Sequence, residues 1–141
     1  MAARDAVLVD AGPLVALFNR RDELHPVCVE TLKIFRAPVL TVWPVVTEAM
    51  SLLAFSARAQ DALWQFLLAQ TLLIVPLEPV DMPRMRELMH RYRDRRMDLA
   101  DAALIRAAER EKIRTIFTVD QRDFRIYQPA HLHSFHLLPR L

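Results

Sequence analysis

Apolar residues fall in short runs that alternate with longer helical patterns along this chain. Ala6-Val7-Leu8-Val9, stopped by Asp10-Ala11-Gly12-Pro13, predicts a buried strand over residues 6–10. Pro13 suits the first turn of a helix that continues through Leu14-Val15-Ala16-Leu17-Phe18. Asp22 is placed to cap a second helix with apolar positions Val27, Val29, Leu32, Ile34 and Phe35. Pro38 to Trp43 reads as a second strand. Pro44 then starts a helix to about Phe55 that is apolar almost all round and so predicted to be buried. Ser56 caps the next helix, with Leu63, Phe66, Leu67 and Leu68 facing inward. Leu72-Leu73-Ile74-Val75 is a third strand, stopped by Pro76. An amphipathic helix from about Val80 to Arg95 sets Leu88, Met89 and Tyr92 against many arginines. Asp98 starts another helix through Glu111. Arg114 to Val119 is a fourth strand, and Ser134 to Leu138 a fifth. Short β runs between helices specify an α/β sandwich around a mostly parallel sheet.

Composition narrows this picture. At 141 residues, 53% hydrophobic and 26% charged, the chain reads as a single folded domain over residues 1–141. No apolar stretch reaches the roughly 18 residues that span a bilayer. Arg4 and Asp5 followed by a short apolar run do not make a secretory leader. Lone Cys28 permits no internal disulfide and reads as a small core residue, which fits a cytoplasmic setting. The single glycine, Gly12, excludes a glycine-rich phosphate loop. A net charge of +2 permits a polyanionic partner without demanding one. Lys33 and Lys112 are the only lysines, and the arginines concentrate at Arg84, Arg86, Arg91, Arg93, Arg95 and Arg96. That run reads first as a solvated face. Its alternative is a phosphate-gripping rim, with Arg95 and Arg96 the best candidates.

The acids change the picture most. Asp10 follows the first strand, Glu48 lies among Val45-Val46-Thr47-Glu48-Ala49-Met50, Asp98 and Asp101 open a helix, and Asp120 and Asp123 follow the fourth strand. Each has an ordinary reading. Asp10 and Asp98 can cap helices, Asp101 and Glu48 can complement a helix dipole, and Asp123 can cap a turn. Together they place carboxylates beside core segments, where an acid needs a partner or a cation. Asp10 and Asp120 sit at strand carboxyl ends, where α/β folds bind ligands. Asp98 and Asp101 share one helix face. Clustered carboxylates repel, and a hard divalent cation removes that cost. An oxygen-only set favours Mg2+ or Mn2+ over zinc. Thr118 is placed to orient a carboxylate or a water, or to contact substrate. His131, His133 and His136 read as a surface tail, and Trp43, Trp64, Phe66 and Tyr92 as core or interface residues.

VLVDAGPLVALFNRRDELH, VVTEAM, MDLADAALIRAAER and TVDQRDF occur in that order over essentially the whole chain. They resemble the four acidic motifs of the PIN-domain nucleases, within them the VapC-like toxins of type II toxin–antitoxin pairs. The resemblance implies a three-layer sandwich whose mostly parallel central sheet is flanked by helices, with acids gathered at one edge. It implies a Mg2+- or Mn2+-dependent endoribonuclease that cleaves RNA, is neutralised by a cognate antitoxin and forms a homodimer. It places Asp10, Glu48, Asp101 and Asp120 as catalytic and metal-binding acids, with Asp98 and Asp123 as auxiliaries. Asp98 could be the principal third acid in place of Asp101, and Asp123 could share or replace the role of Asp120. A PIN-fold RNA-processing nuclease without a toxin role and a non-catalytic PIN-fold module are the rival readings. A haloacid-dehalogenase-type hydrolase needs a second Asp where Gly12 stands. A phosphoreceiver needs a late lysine that neither Lys33 nor Lys112 supplies.

Overall fold

The computed structural model describes residues 6–141; Arg4 and Asp5 lie outside them. Five strands form one sheet: β1 (Val7–Val9), β2 (Val39–Thr41), β3 (Leu73–Ile74), β4 (Thr115–Phe117) and β5 (His136–Leu138). Their spatial order is β3-β2-β1-β4-β5, and every neighbouring pair is parallel. The mostly parallel expectation is therefore met by an entirely parallel sheet. Central β1 is buried at all three residues, as a strand covered on both faces must be. The chain steps outward from β1 to β2 and β3, then crosses back to β4 on the other side of β1. Ligands bind in α/β sheets at such a reversal, beyond the carboxyl ends of the strands.

Helices α1 (Ala11–Phe18), α2 (His25–Ile34), α3 (Trp43–Leu52), α4 (Ala57–Leu68), α5 (Met82–Arg91), α6 (Leu99–Glu111) and the short α7 (Gln121–Phe124) flank the sheet. Helix α6 is the most buried, because its alanines let it pack closely on both α3 and α5. Its N-cap is Asp98, whose Oδ1 accepts from the Asp101 amide at 2.9 Å. Ser56 caps α4 as expected, accepting from the Ala59 amide at 3.1 Å. Gly12 matters for close approach: a Cβ there would lie 2.5 Å from Val119 Cγ2. Its absence lets the first turn of α1 press against the segment that follows β4.

Several expected details differ. Asp22 does not cap α2, whose N-cap is Leu24 without a side-chain bond. Asp22 instead accepts from the Leu24 amide at 2.9 Å and organises the preceding turn. Helix α3 is buried only at Val45, Val46 and Ala49, because only one face meets α1 and α6; Trp43 and Leu52 face outward. Leu68 is also exposed. The predicted Val80–Arg95 helix is three pieces: a 3-10 turn at Pro79–Asp81, α5, and a second 3-10 turn at Arg93–Arg95. Arg96 closes that second turn with left-handed backbone, φ 56°.

Tyr92 and Cys28 are buried, and Phe66 packs edge-on to Phe18 with ring centroids 4.9 Å apart. Burial, then the charge of Asp22, pushes the Cys28 thiol up to about 11, so it behaves as a small apolar residue. The histidines do not converge. His131 is hydrogen-bonded to the Ile113 carbonyl at 2.7 Å, and His136 begins β5. No helix among the described residues is long and apolar enough to cross a membrane.

Candidate acidic active site

Parallel pairing of β1 with β4 sets Val9 beside Phe117 and so brings Asp10 next to Thr118. The Asp10 amide donates to the Phe117 carbonyl at 2.9 Å. The buried Asp10 carboxylate has two protein donors: the Ala11 amide at 2.8 Å on Oδ1 and the Thr118 hydroxyl at 2.9 Å on Oδ2. The same Thr118 oxygen accepts from the Asp120 amide at 3.0 Å. One hydroxyl thus fixes the Asp10 side chain and the backbone that carries Asp120. Thr118 is fully buried, with its hydroxyl committed to these bonds, so it positions acids rather than presenting itself to a substrate.

Helix packing supplies the other acids. The contact of α3 with α6 carries Glu48 toward the N-terminus of α6, where Asp98 and Asp101 lie. Asp98 lies near enough to repel Asp10, Glu48, Asp101 and Asp120 alike. Burial raises the Asp10 carboxyl to about 6, with Asp98 and Asp120 adding to the rise and the Ala11 and Thr118 hydrogen bonds opposing it. Burial raises Asp101 to about 8, with Asp10, Asp98 and Asp120 adding repulsion. Glu48 is raised by burial and then by Asp98, Asp10 and Asp120. Asp120 is raised by burial, Asp123 and Asp98. Among the described residues, none of these five acids forms a salt bridge.

The auxiliaries separate. Asp98 is exposed and commits one oxygen to the α6 cap, whereas Asp101 is partly buried. Asp123 pairs with Arg95 at 3.1 Å, so this arginine neutralises an acid beside the site. Arg96 is exposed. Much of the arginine run is internally engaged. Arg84 binds Glu109 and Glu87, Arg91 lies over the Tyr92 ring, and Arg93 donates to the His90 carbonyl. Tyr127 has no place in the sequence motifs. Its buried hydroxyl donates to Asp101 Oδ2 at 3.1 Å, and its ring is wedged against Tyr92 and Phe124. Nothing in Arg125-Ile126-Tyr127-Gln128 marks this role in the sequence.

Oxygen-only, mutually repelling donors match the chemistry of a hard divalent cation. Among the described residues, no three His, Cys, Asp or Glu side chains stand close enough to make a ready-made cage. A cation such as Mg2+, which keeps several waters, requires only one or two direct carboxylates.

Known proteins share this architecture. Ribonuclease VapC26 of Mycobacterium tuberculosis is 25% identical over 136 residues, covering 94% of this chain and all of that protein. The crystal structure of M. tuberculosis VapC20, described as a sarcin-ricin loop cleaving toxin, superposes with a TM-score of 0.73 at 21% identity. That match covers 82% of this chain and 91% of that one. VapBC2 from Rickettsia felis, solved bound to a DNA fragment from its promoter, gives 0.66 at 15% identity over 94% of this chain and 98% of that one. The PIN domain family model matches residues 7–128, a span that holds all the acids described above. The chain therefore belongs to the PIN domain family and is VapC-like in sequence and fold.

Proposed function

We propose that this protein is a divalent-cation-dependent endoribonuclease and the toxin of a toxin–antitoxin pair. One observation carries the reading: Thr118 ties Asp10 to the backbone of Asp120 at the sheet's reversal point, Glu48 and Asp101 lie near enough to feel Asp10, and none of the four has a salt bridge among the described residues. Elsewhere in the same chain, buried acids are paired with arginines. Acids left unpaired at this cost are the signature of a site that takes its positive charge from outside.

Asp10, Glu48, Asp101 and Asp120 would hold Mg2+ or Mn2+, directly or through water, with Asp98 and Asp123 as auxiliaries. The cation supplies positive charge against developing negative charge on a phosphoryl oxygen and makes water more acidic. Around it, the Ala11 amide and Thr118 fix Asp10, and Tyr127 fixes Asp101. The reaction is hydrolysis, in which water adds to phosphorus as the 3′ oxygen leaves. Arg96 is the exposed cation of the expected rim, and Arg95 acts through Asp123. The likeness to VapC26 and to VapBC2 supports a cognate antitoxin as partner. A homodimer in the cytoplasm completes the proposal.

Purified protein freed of any partner is expected to cleave single-stranded RNA with Mg2+ or Mn2+ and to stop when EDTA is added. RNA that stays intact under every metal condition would refute the reading. A finer outcome concerns Tyr127→Phe. Losing one hydrogen bond to a carboxylate costs about 1.5–3 kcal/mol of stability. Losing an orienting group behind a metal ligand costs about 10- to 100-fold in metal affinity. Calorimetric Mn2+ titration should show that weakening; unchanged Mn2+ affinity would make Tyr127 a packing residue only.

A further inference from the structure

We propose that the cavity between α3 and α6 is a nucleobase subsite, in which a base of the RNA strand adjoining the cleaved phosphate stacks on Trp43. The inference rests on the nuclease reading and deepens it. The cavity has a volume of about 640 Å3, within the range of small-molecule sites. Its walls are Trp43, Ser51 and Leu52 from α3 and Leu99 from α6, with Glu48 and Asp98 on the side of the acidic site. Trp43 is 51% exposed, Leu52 54% and Leu99 50%. Three half-exposed apolar side chains of this size meeting in one cavity form a surface awaiting an occupant.

Charge and continuity select the occupant. Two carboxylates and no cation line the cavity, so a phosphate would be repelled from it. A base is neutral, has two flat apolar faces, and carries N–H donors on its edge. Single-stranded RNA is recognised by stacking unpaired bases on aromatic rings and bonding their edges. Carboxylates accept from amino groups, so the walls match adenine, cytosine or guanine better than uracil, which lacks an exocyclic amino group. Glu48 belongs both to this wall and to the acidic site. A base seated here therefore leaves its own phosphate beside Asp10 and Asp101. Trp64 lies alongside Trp43, with ring centroids 6.4 Å apart, and buttresses the ring from outside the cavity.

The chain has two tryptophans, so Trp64→Phe leaves Trp43 as the only indole reporter. That protein is titrated with a ten-nucleotide single-stranded RNA labelled for anisotropy, in Ca2+ in place of Mg2+. A matched RNA of the same length carries abasic residues. Expected is quenching of Trp43 emission by the base-bearing strand and none by the abasic strand. Trp43→Ala should weaken binding of the base-bearing strand by about 5- to 150-fold, the range for loss of one stacked base. It should also flatten any preference for amino-bearing bases over uracil. RNA that binds by anisotropy while Trp43 emission stays unchanged overturns the proposal. So does emission that responds to protein concentration or to an apolar cationic peptide but not to RNA, which would assign the cavity to a protein partner. Trp64→Phe protein that cleaves RNA in Mg2+ and binds it in Ca2+ with Trp43 emission unmoved sinks this subsite alone. Wild-type protein that neither binds nor cleaves RNA sinks the nuclease reading with it.

Discussion

Asp10→Asn is expected to remove RNA cleavage by at least about 100-fold, more than the loss typical for residues one shell further out, while making the metal-free protein more stable at pH 7.5. The two effects have one cause. Burial holds the Asp10 carboxyl near 6 in the fold, against an ordinary value of 3.8. The folded state therefore binds a proton more tightly than the unfolded chain does. Stability present below about pH 4 is lost as pH rises through the folded value. The loss at pH 7.5 is about 3 kcal/mol at most, taking 1.36 kcal/mol for each pH unit between the two values. An uncharged amide escapes it but satisfies the Ala11 and Thr118 donors less well, so a gain of about 1–2 kcal/mol is expected. Urea unfolding in EDTA at pH 4 and pH 7.5 measures the difference, which should vanish at the lower pH. Mg2+ should stabilise the wild type by mass action and leave Asp10→Asn almost unmoved. Asp101→Asn should behave alike, with its window extending to about pH 8. A variant that loses folding in step with activity would contradict the assignment of Asp10 to a cation site.

The second large effect lies at the other buried acid cluster. Asp81 is fully buried and accepts from Arg106 Nε at 2.7 Å, from Arg110, and from the Glu78 amide at 2.8 Å. Burial alone would raise its carboxyl; the Glu78 amide and the two guanidinium groups overcome that and hold it below 3.8. Arg106→Leu with Arg110→Leu leaves this carboxylate without a cation, which typically costs about 3–5 kcal/mol. Urea unfolding should show it, and adding Asp81→Asn should recover part of the loss. Little change in the double variant would mean that the pairs carry no weight. The sign with pH is opposite to that at the acidic site. A carboxyl held low contributes stability above 3.8 that disappears as pH falls through its folded value. Glu109, also held low by Arg84 and the Ala130 amide against the effect of burial, acts in the same sense. The paired cluster thus protects the fold against unfolding at neutral pH, while the unpaired one destabilises it there.

This contrast separates paired acids from unpaired ones, which sequence position does not. In the sequence, Asp81 and Asp101 look equivalent: each is an acid near the start of a helix. The fold gives Asp81 two arginines from one face of α6 and gives Asp101 only a tyrosine hydroxyl and other carboxylates. The arginine run likewise divides once its neighbours are known, because Arg84 locks onto Glu109, 25 residues away. Trp43 and Trp64 read as core or interface residues because they lie in apolar periodic segments. Trp43 faces outward because another face of α3 meets α1 and α6, and Trp64 because α4 packs on α1 by another face.

By itself, the sequence determined the alternation of strands and helices, the parallel α/β class and the segments that carry Asp10, Glu48, Asp98, Asp101 and Asp120. Those features are local: apolar period, prolines in first turns, and caps such as Ser56 and Asp98 are set by residues within a few positions. Tertiary structure alone decided which acids meet, which are neutralised, that Thr118 ties Asp10 to Asp120, and that Tyr127 stands behind Asp101. It also opened the cavity at Trp43. Those outcomes depend on strand register and helix packing between residues as many as 108 positions apart. Burial, which sets the energy of a carboxylate, is a property of such packing and of no single segment.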